Sequence, residues 1–137
     1  MENIEQDICP NQIIVYNDRS AQGKGFALRE ALKEATGDKF IFIDWDNDIK
    51  PYEINKILTY LNQYDVVVGK KELPRTFKRR LVTKLSRLYI RFLFGIGMDT
   101  QTGLKGFNYR PEWTTNGWGF DIEILYKAKK MGKTMIE

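Results

Sequence analysis

Histidine is absent from this chain, and cysteine occurs once, at Cys9. The first absence excludes imidazole catalysis and histidine-ligated zinc. The second excludes an intramolecular disulfide and fits a reducing compartment. No run approaches the roughly 18 uncharged apolar residues of a membrane-crossing helix. No signal-peptide pattern opens the chain. Within 137 residues, 42% hydrophobic content is enough for one cored domain, and 29% charged content keeps its surface hydrated.

The charge is unevenly spread. Lys70, Lys71, Arg75, Lys78, Arg79, Arg80, Lys84, Arg87 and Arg91 are opposed in their segment only by Glu72, so that segment carries +8. The whole chain carries +4, which leaves −4 for the rest. Basicity concentrated in one element implies an anionic partner.

Acidity has a focus too. Asp44, Asp46 and Asp48 alternate directly after the apolar run Phe40-Ile41-Phe42-Ile43. That run is β-branched and aromatic, as a buried strand is. In open α/β sheets, ligands bind beyond the carboxyl ends of the strands. Three crowded carboxylates there require a cation, and hard oxygen donors suit Mg²⁺ or Mn²⁺. The competing reading makes Asp46 and Asp48 caps of a helix opening near Pro51; their position after a buried strand favours the metal.

The remaining pattern alternates. Strands are expected at Ile13–Tyr16, Lys39–Ile43 and Asp65–Gly69, with helices over Phe26–Thr36 and Pro51–Gln63 between them. This is the signature of an α/β fold with a mostly parallel sheet flanked by helices. A further strand is expected near Leu104–Tyr109, a helix over Phe120–Met131, and a strand beginning at Thr134.

A long helix is expected over Lys78–Phe94. At about 100° per residue, Lys84, Arg87 and Arg91 fall within about 40° of Arg80 and form one cationic stripe. Leu81, Leu85, Leu88 and Phe92 form an apolar stripe beside it, extended by Val82, Tyr89 and Leu93. A membrane-surface element has this pattern; so does a core helix with one solvated face. Nucleic acid is the weaker partner, because no aromatic residues interleave the cations for base stacking and the carboxylates repel phosphate.

In this order and spacing the pieces resemble the family 2 glycosyltransferases of GT-A (Rossmann-like) fold, most of all the polyprenyl- or dolichyl-phosphate mannosyl- and glucosyltransferases. Gly23-Lys24-Gly25-Phe26-Ala27-Leu28-Arg29 matches G-K-G-x-A-x-R, and Ala35-Thr36-Gly37-Asp38 matches A-x-G-D. Asp44-Trp45-Asp46-Asn47-Asp48 matches D-A-D-x-Q, and Val67-Val68-Gly69-Lys70-Lys71 matches V-x-G-S-R. Arg79 and Thr83 match an Arg and a Ser four apart. Asp99-Thr100-Gln101-Thr102-Gly103 matches D-T-Q-x-G, and Phe120-Asp121-Ile122-Glu123 matches F-D-x-E.

The resemblance implies inverting, metal-dependent transfer of a sugar from a UDP- or GDP-hexose to a polyprenyl phosphate, peripherally at the cytoplasmic face of a membrane. It implies Asp44, Asp46 and Asp48 as metal ligands, with Asp46 and Arg79 as the catalytic pair. Lys24, Gly25 and Asp44 would meet the donor. Lys71, Arg79, Arg80, Thr83, Gln101, Asp121 and Glu123 would serve the acceptor phosphate. Asp121 and Glu123 also suit the first turn of a helix by its dipole alone. The chain departs from the pattern in three ways. The opening P-x-x-N-E and D-D-x-S motifs, which hold the nucleotide in the family, are absent. Lys71 and Thr83 replace Arg and Ser, and Asp48 replaces Gln. The expectation is one domain over residues 1–137, shortened at both ends relative to the family. The alternative is a non-catalytic remnant that binds anionic membrane through its basic helix.

Overall fold

The computed structural model describes residues 11–44, 49–70 and 76–137. Four helices and four strands follow in the order α1 (Lys24–Glu34), β1 (Phe40–Ile43), α2 (Pro51–Tyr60), β2 (Val66–Val68), α3 (Phe77–Phe94), β3 (Leu104–Phe107), α4 (Phe120–Lys130) and β4 (Met135–Ile136). The expected bounds hold to within a few residues. α1 is shifted two residues toward the N-terminus: it begins at Lys24 with Gly23 as its N-cap, so Lys24 and Gly25 lie in its first turn.

The strands form one sheet in the order β1-β3-β2-β4. It is mixed rather than mostly parallel. β3 runs antiparallel to both β1 and β2, while β2 and β4 are parallel. β1 and β2 do point the same way, as a strand–helix–strand unit requires, but their crossover skips one position. The chain turns back after α3, and β3 fills the gap. The strand expected at Ile13–Tyr16 is not formed. Ile13 and Val15 stand 76% and 73% exposed, with no ladder partner among the described residues. Only the neighbouring Gln12 is tied down, donating to the Glu34 carbonyl at the end of α1 and accepting from the Thr36 amide.

Side-chain alternation divides the core between the two faces. Ile41, Val67, Leu104 and Ile136 pack with Ile57 and Leu61 of α2. This helix lies directly on Gly106, where a Cβ would come within 2.5 Å of Ile57. The opposite face carries Phe40, Val66, Val68 and Phe107 against Leu32 of α1 and Phe120, Ile124, Leu125 and Ala128 of α4. Burying these side chains supplies the main driving force, at about 25 cal/mol per Å² of apolar surface.

α3 follows a different rule. It contains no buried residue. Its last two turns touch the core through Ile90 and Phe94, with Phe94 meeting Tyr126 edge-on at 5.6 Å between ring centroids. The apolar stripe faces out instead. Leu81, Leu85 and Leu88 are exposed, and Phe92 is 87% exposed.

Candidate functional site

The sheet topology brings distant motifs to one end of the molecule. β1 ends at Ile43 and hands on to Asp44, while β2 ends at Val68 before Gly69 and Lys70. Because β3 is antiparallel, its start lies at the same end, preceded by the loop 99–103. The Asp44 amide donates to the Gly103 carbonyl at 3.0 Å, and the Gly69 amide donates to Leu104 at 2.8 Å. Loop 99–103 is also fastened to α3. Arg87 donates to Asp99 at 2.7 Å, and the Asp99 carboxylate in turn caps the Gln101 amide at 3.1 Å. The Asp99 amide donates to Glu137 at 2.9 Å, just past β4.

Four charges alternate across this end. The Lys24 ammonium spans both oxygens of Asp44, at 2.7 Å from Oδ1 and 2.9 Å from Oδ2. It lies 3.6 Å from Asp121 Oδ2, and Asp121 Oδ1 lies 2.6 Å from Lys105 Nζ. Both side chains of this inner pair are only 2% exposed. Burial pushes the Lys105 ammonium below its ordinary pKa, and the Asp121 carboxylate opposes that shift. A charge in so dry a place is tolerated only when paired. Asp121 reaches Lys105 because Phe120, buried between Trp113 and the sheet, fixes the first turn of α4.

Loop 113–119 roofs the start of α1. The Trp113 indole donates to the Gly25 carbonyl at 2.8 Å. A Cβ on Gly25 would fall 2.3 Å from the Thr115 carbonyl oxygen, so the close approach at this glycine is to the chain's own loop. Glu123 braces the same loop, accepting from the Thr114 and Thr115 amides at 2.9 Å each and pairing with Lys127 at 2.8 Å. Partial burial works to raise its pKa, but the hydrogen bonds from Lys127, Thr115 and Thr114 outweigh it and hold the carboxyl far below the usual range. Arg29, the last residue of the G-K-G-x-A-x-R match, donates to the Thr114 carbonyl at 3.2 Å and to Asn116. Ahead of α1, the Asp18 carboxylate accepts from the Gly23 amide at 2.7 Å, which sets the entry to Lys24.

The expected site residues therefore sort into groups. Lys24, Gly25, Asp44 and Asp121 meet in one cluster, and Glu123 sits behind it as a loop brace. Gln101 is exposed on the loop that joins Asp44 to α3. Arg79, Arg80 and Thr83 lie on the first two turns of α3, the two arginines exposed. Asp46, Asp48 and Lys71 lie outside the described residues. Of the two loop tryptophans, Trp113 packs in the core and Trp118 is 77% exposed.

Lys105 and Asp18 were not singled out from the sequence, and Arg87 was placed only in the cationic stripe of α3. Lys105 had a signal: a lysine inside the otherwise apolar run Leu104–Phe107 must find a carboxylate. The pairing of Arg87 with Asp99 and the role of Asp18 gave none, because the partners become neighbours only on folding.

Among the described residues no three potential ligands cluster. Of the three expected ligands only Asp44 lies among them; its carboxylate is of the hard-oxygen type that suits Mg²⁺ or Mn²⁺, and both its oxygens are met by the Lys24 ammonium.

Comparisons with known proteins identify the family. The model of Glycosyl transferase family 2 matches residues 2–116. The chain belongs to that family, and its α/β sheet is a partial GT-A fold. It is similar to Glycosyltransferase AglD of Haloferax volcanii, 27% identical over 136 residues, covering 89% of this chain and 22% of that protein. It is similar to the Undecaprenyl-phosphate mannosyltransferase of Micrococcus luteus, 21% identical over 116 residues, covering 73% of this chain and 47% of that protein. A Dolichyl-phosphate beta-glucosyltransferase of Dictyostelium discoideum is 24% identical over 136 residues, covering 85% of this chain and 42% of that protein. The chain thus spans less than half the length of these relatives.

Proposed function

We propose that this chain is the catalytic part of a glycosyltransferase that moves a sugar from a nucleotide-diphosphate sugar, a UDP- or GDP-hexose, to the phosphate of a polyprenyl or dolichyl lipid. One observation carries the reading beyond family membership. Loop 99–103 is bonded at one end to Asp44 and at the other to α3, so the carboxylate of the crevice and the amphipathic basic helix belong to one hydrogen-bonded unit.

Each region suits one part of the reaction. Asp44, with Asp46 and Asp48, would hold a divalent cation, Mg²⁺ or Mn²⁺, which would supply charge stabilisation to the leaving diphosphate. Lys24 adds a second positive charge beside it. Lys71, Arg79 and Arg80 hold the acceptor phosphate by charge-assisted hydrogen bonds, with Thr83 and Gln101 adding polar contacts. The acceptor is an anion at neutral pH, so attack on the anomeric carbon needs no histidine base. Asp121 and Glu123 act behind the site, one holding Lys24 and the other the loop over α1. Positioning and electrostatic stabilisation supply the rate.

α3 supplies the approach to the lipid. No helix of the described residues is long and apolar enough to cross a membrane. An 18-residue helix with Leu85, Leu88, Tyr89 and Phe92 exposed beside Lys84 and Arg91 suits the interface of an anionic bilayer. The protein then works peripherally, at the cytoplasmic face of the membrane.

Calorimetric titration of UDP and of GDP, with and without Mn²⁺, tests the reading. Metal-dependent binding of one nucleotide, lost in Asp46→Asn, is expected and names the base. Vesicle binding with no affinity for either nucleotide would sink the catalytic reading and leave a membrane-binding remnant.

A further inference from the structure

Lys24 is the first residue of α1, and its ammonium is already engaged. It bridges both oxygens of Asp44, so each oxygen that a metal would use has an ammonium within 2.9 Å. The two Lys–Asp pairs differ in their access to water. Lys24 and Asp44 side chains are 22% and 29% exposed, whereas Lys105 and Asp121 are closed off. The inner pair is a fixed anchor and the outer pair can rearrange. Lys24 also has somewhere to go. Asp121 Oδ2 lies 3.6 Å from its nitrogen, and the Phe120 ring centroid lies 5.3 Å away.

We propose that Lys24 is the resident counter-ion of Asp44, and that a divalent cation binding at Asp44 must displace its ammonium toward Asp121. Two positive charges on one carboxylate repel at contact distance, so the two cations compete. Lys105 makes this possible. It holds Asp121 Oδ1 at 2.6 Å, which leaves Oδ2 free to retain Lys24 after Asp44 is taken. Without a metal the four charges sum to zero. With a metal, the freed ammonium remains at the same end of the sheet as a second cation. The proposal rests on Asp44 being a metal ligand, as in the reading above.

The test is Mn²⁺ binding alone, without nucleotide, read by water-proton relaxation. Lys24→Met is expected to bind Mn²⁺ about tenfold more tightly than the unaltered chain, since a competing charge at contact is gone. Lys24→Gln, also neutral, is expected to match it and guards against a defect peculiar to methionine. Lys24→Arg keeps the charge and is expected to bind Mn²⁺ as the unaltered chain does. Equal affinity in all four proteins, or weaker binding in the neutral variants, overturns displacement while leaving the metal site standing. No binding in any of them overturns the metal site as well, so the two failures are distinct.

Discussion

The buried ion pairs behind Asp44 and the exposed cations of α3 treat charge in opposite ways. At the sheet, Lys105 and Asp121 satisfy each other in a dry setting and Lys24 and Asp44 do so at its margin. On α3, Lys78, Arg79, Arg80, Lys84 and Arg91 face outward, and among the described residues only Arg87 of this helix has a carboxylate partner. Apolar side chains show the same division. Phe120 and Leu125 of α4 are buried, while Phe77 and Phe92 of α3 are almost wholly exposed. Among the described residues the charges of the first region are paired with one another, and they set its geometry. The second has unsatisfied charge and unsatisfied apolar surface on one helix, which is the surface of an element that meets something else.

The sharpest way to break this comparison is at Lys105. Lys105→Met leaves Asp121 buried with only the more distant Lys24 as partner. Urea unfolding is expected to show a loss of about 3–5 kcal/mol. A loss below about 1 kcal/mol would mean that the pair is not sealed from water. Gly25→Ala probes the roof over the same region. It forces a methyl against the Thr115 carbonyl, and a loss of about 1–3 kcal/mol is expected by the same measurement.

On α3 the expected effects move from stability to binding. Arg80→Ala with Lys84→Ala should weaken partition onto anionic vesicles by about 2 kcal/mol in a sedimentation assay. Raised salt should shrink that difference. An undiminished partition would remove the cationic stripe from the membrane reading. Glu123→Gln is expected to cost about 1 kcal/mol at neutral pH. Its folded-state pKa is depressed, so its stabilisation is present above the unfolded value of 4.5 and lost as pH falls through the lower folded value. The variant should therefore lose less stability than the parent on acidification. The smallest effect is expected at the apolar stripe. Leu85→Ala with Leu88→Ala should change unfolding free energy by no more than about 0.5 kcal/mol, because neither side chain is buried.

Much of the fold was legible from local pattern. The four helices, and strands β1, β2 and β3, appear where apolar periodicity placed them, since amphipathic spacing is a property of neighbouring residues. The seven motifs led to the family because their order survives in the linear chain. Two expectations failed for a shared reason. Ile13–Tyr16 has the composition of a strand, but a strand exists only where another edge pairs with it. The parallel sheet was inferred from order along the chain, and that order does not record that β3 inserts between β1 and β2.

The candidate site divides the same way. The amino-acid sequence by itself determined the residue types: hard carboxylates after a strand, a Gly-Lys-Gly helix start, a basic amphipathic helix, and no histidine or disulfide chemistry. Only the tertiary structure decided which charges neutralise each other. Lys24 meets Asp44 and Asp121, Lys105 meets Asp121, and Arg87 meets Asp99 across 12 to 97 positions of chain. Ion pairing depends on distance and dielectric, and both are set by packing. Packing also decided that α3 stays outside the core. Its pattern allowed burial or a surface role, and the sheet face was already covered by α1, α4 and the last turns of α3 itself.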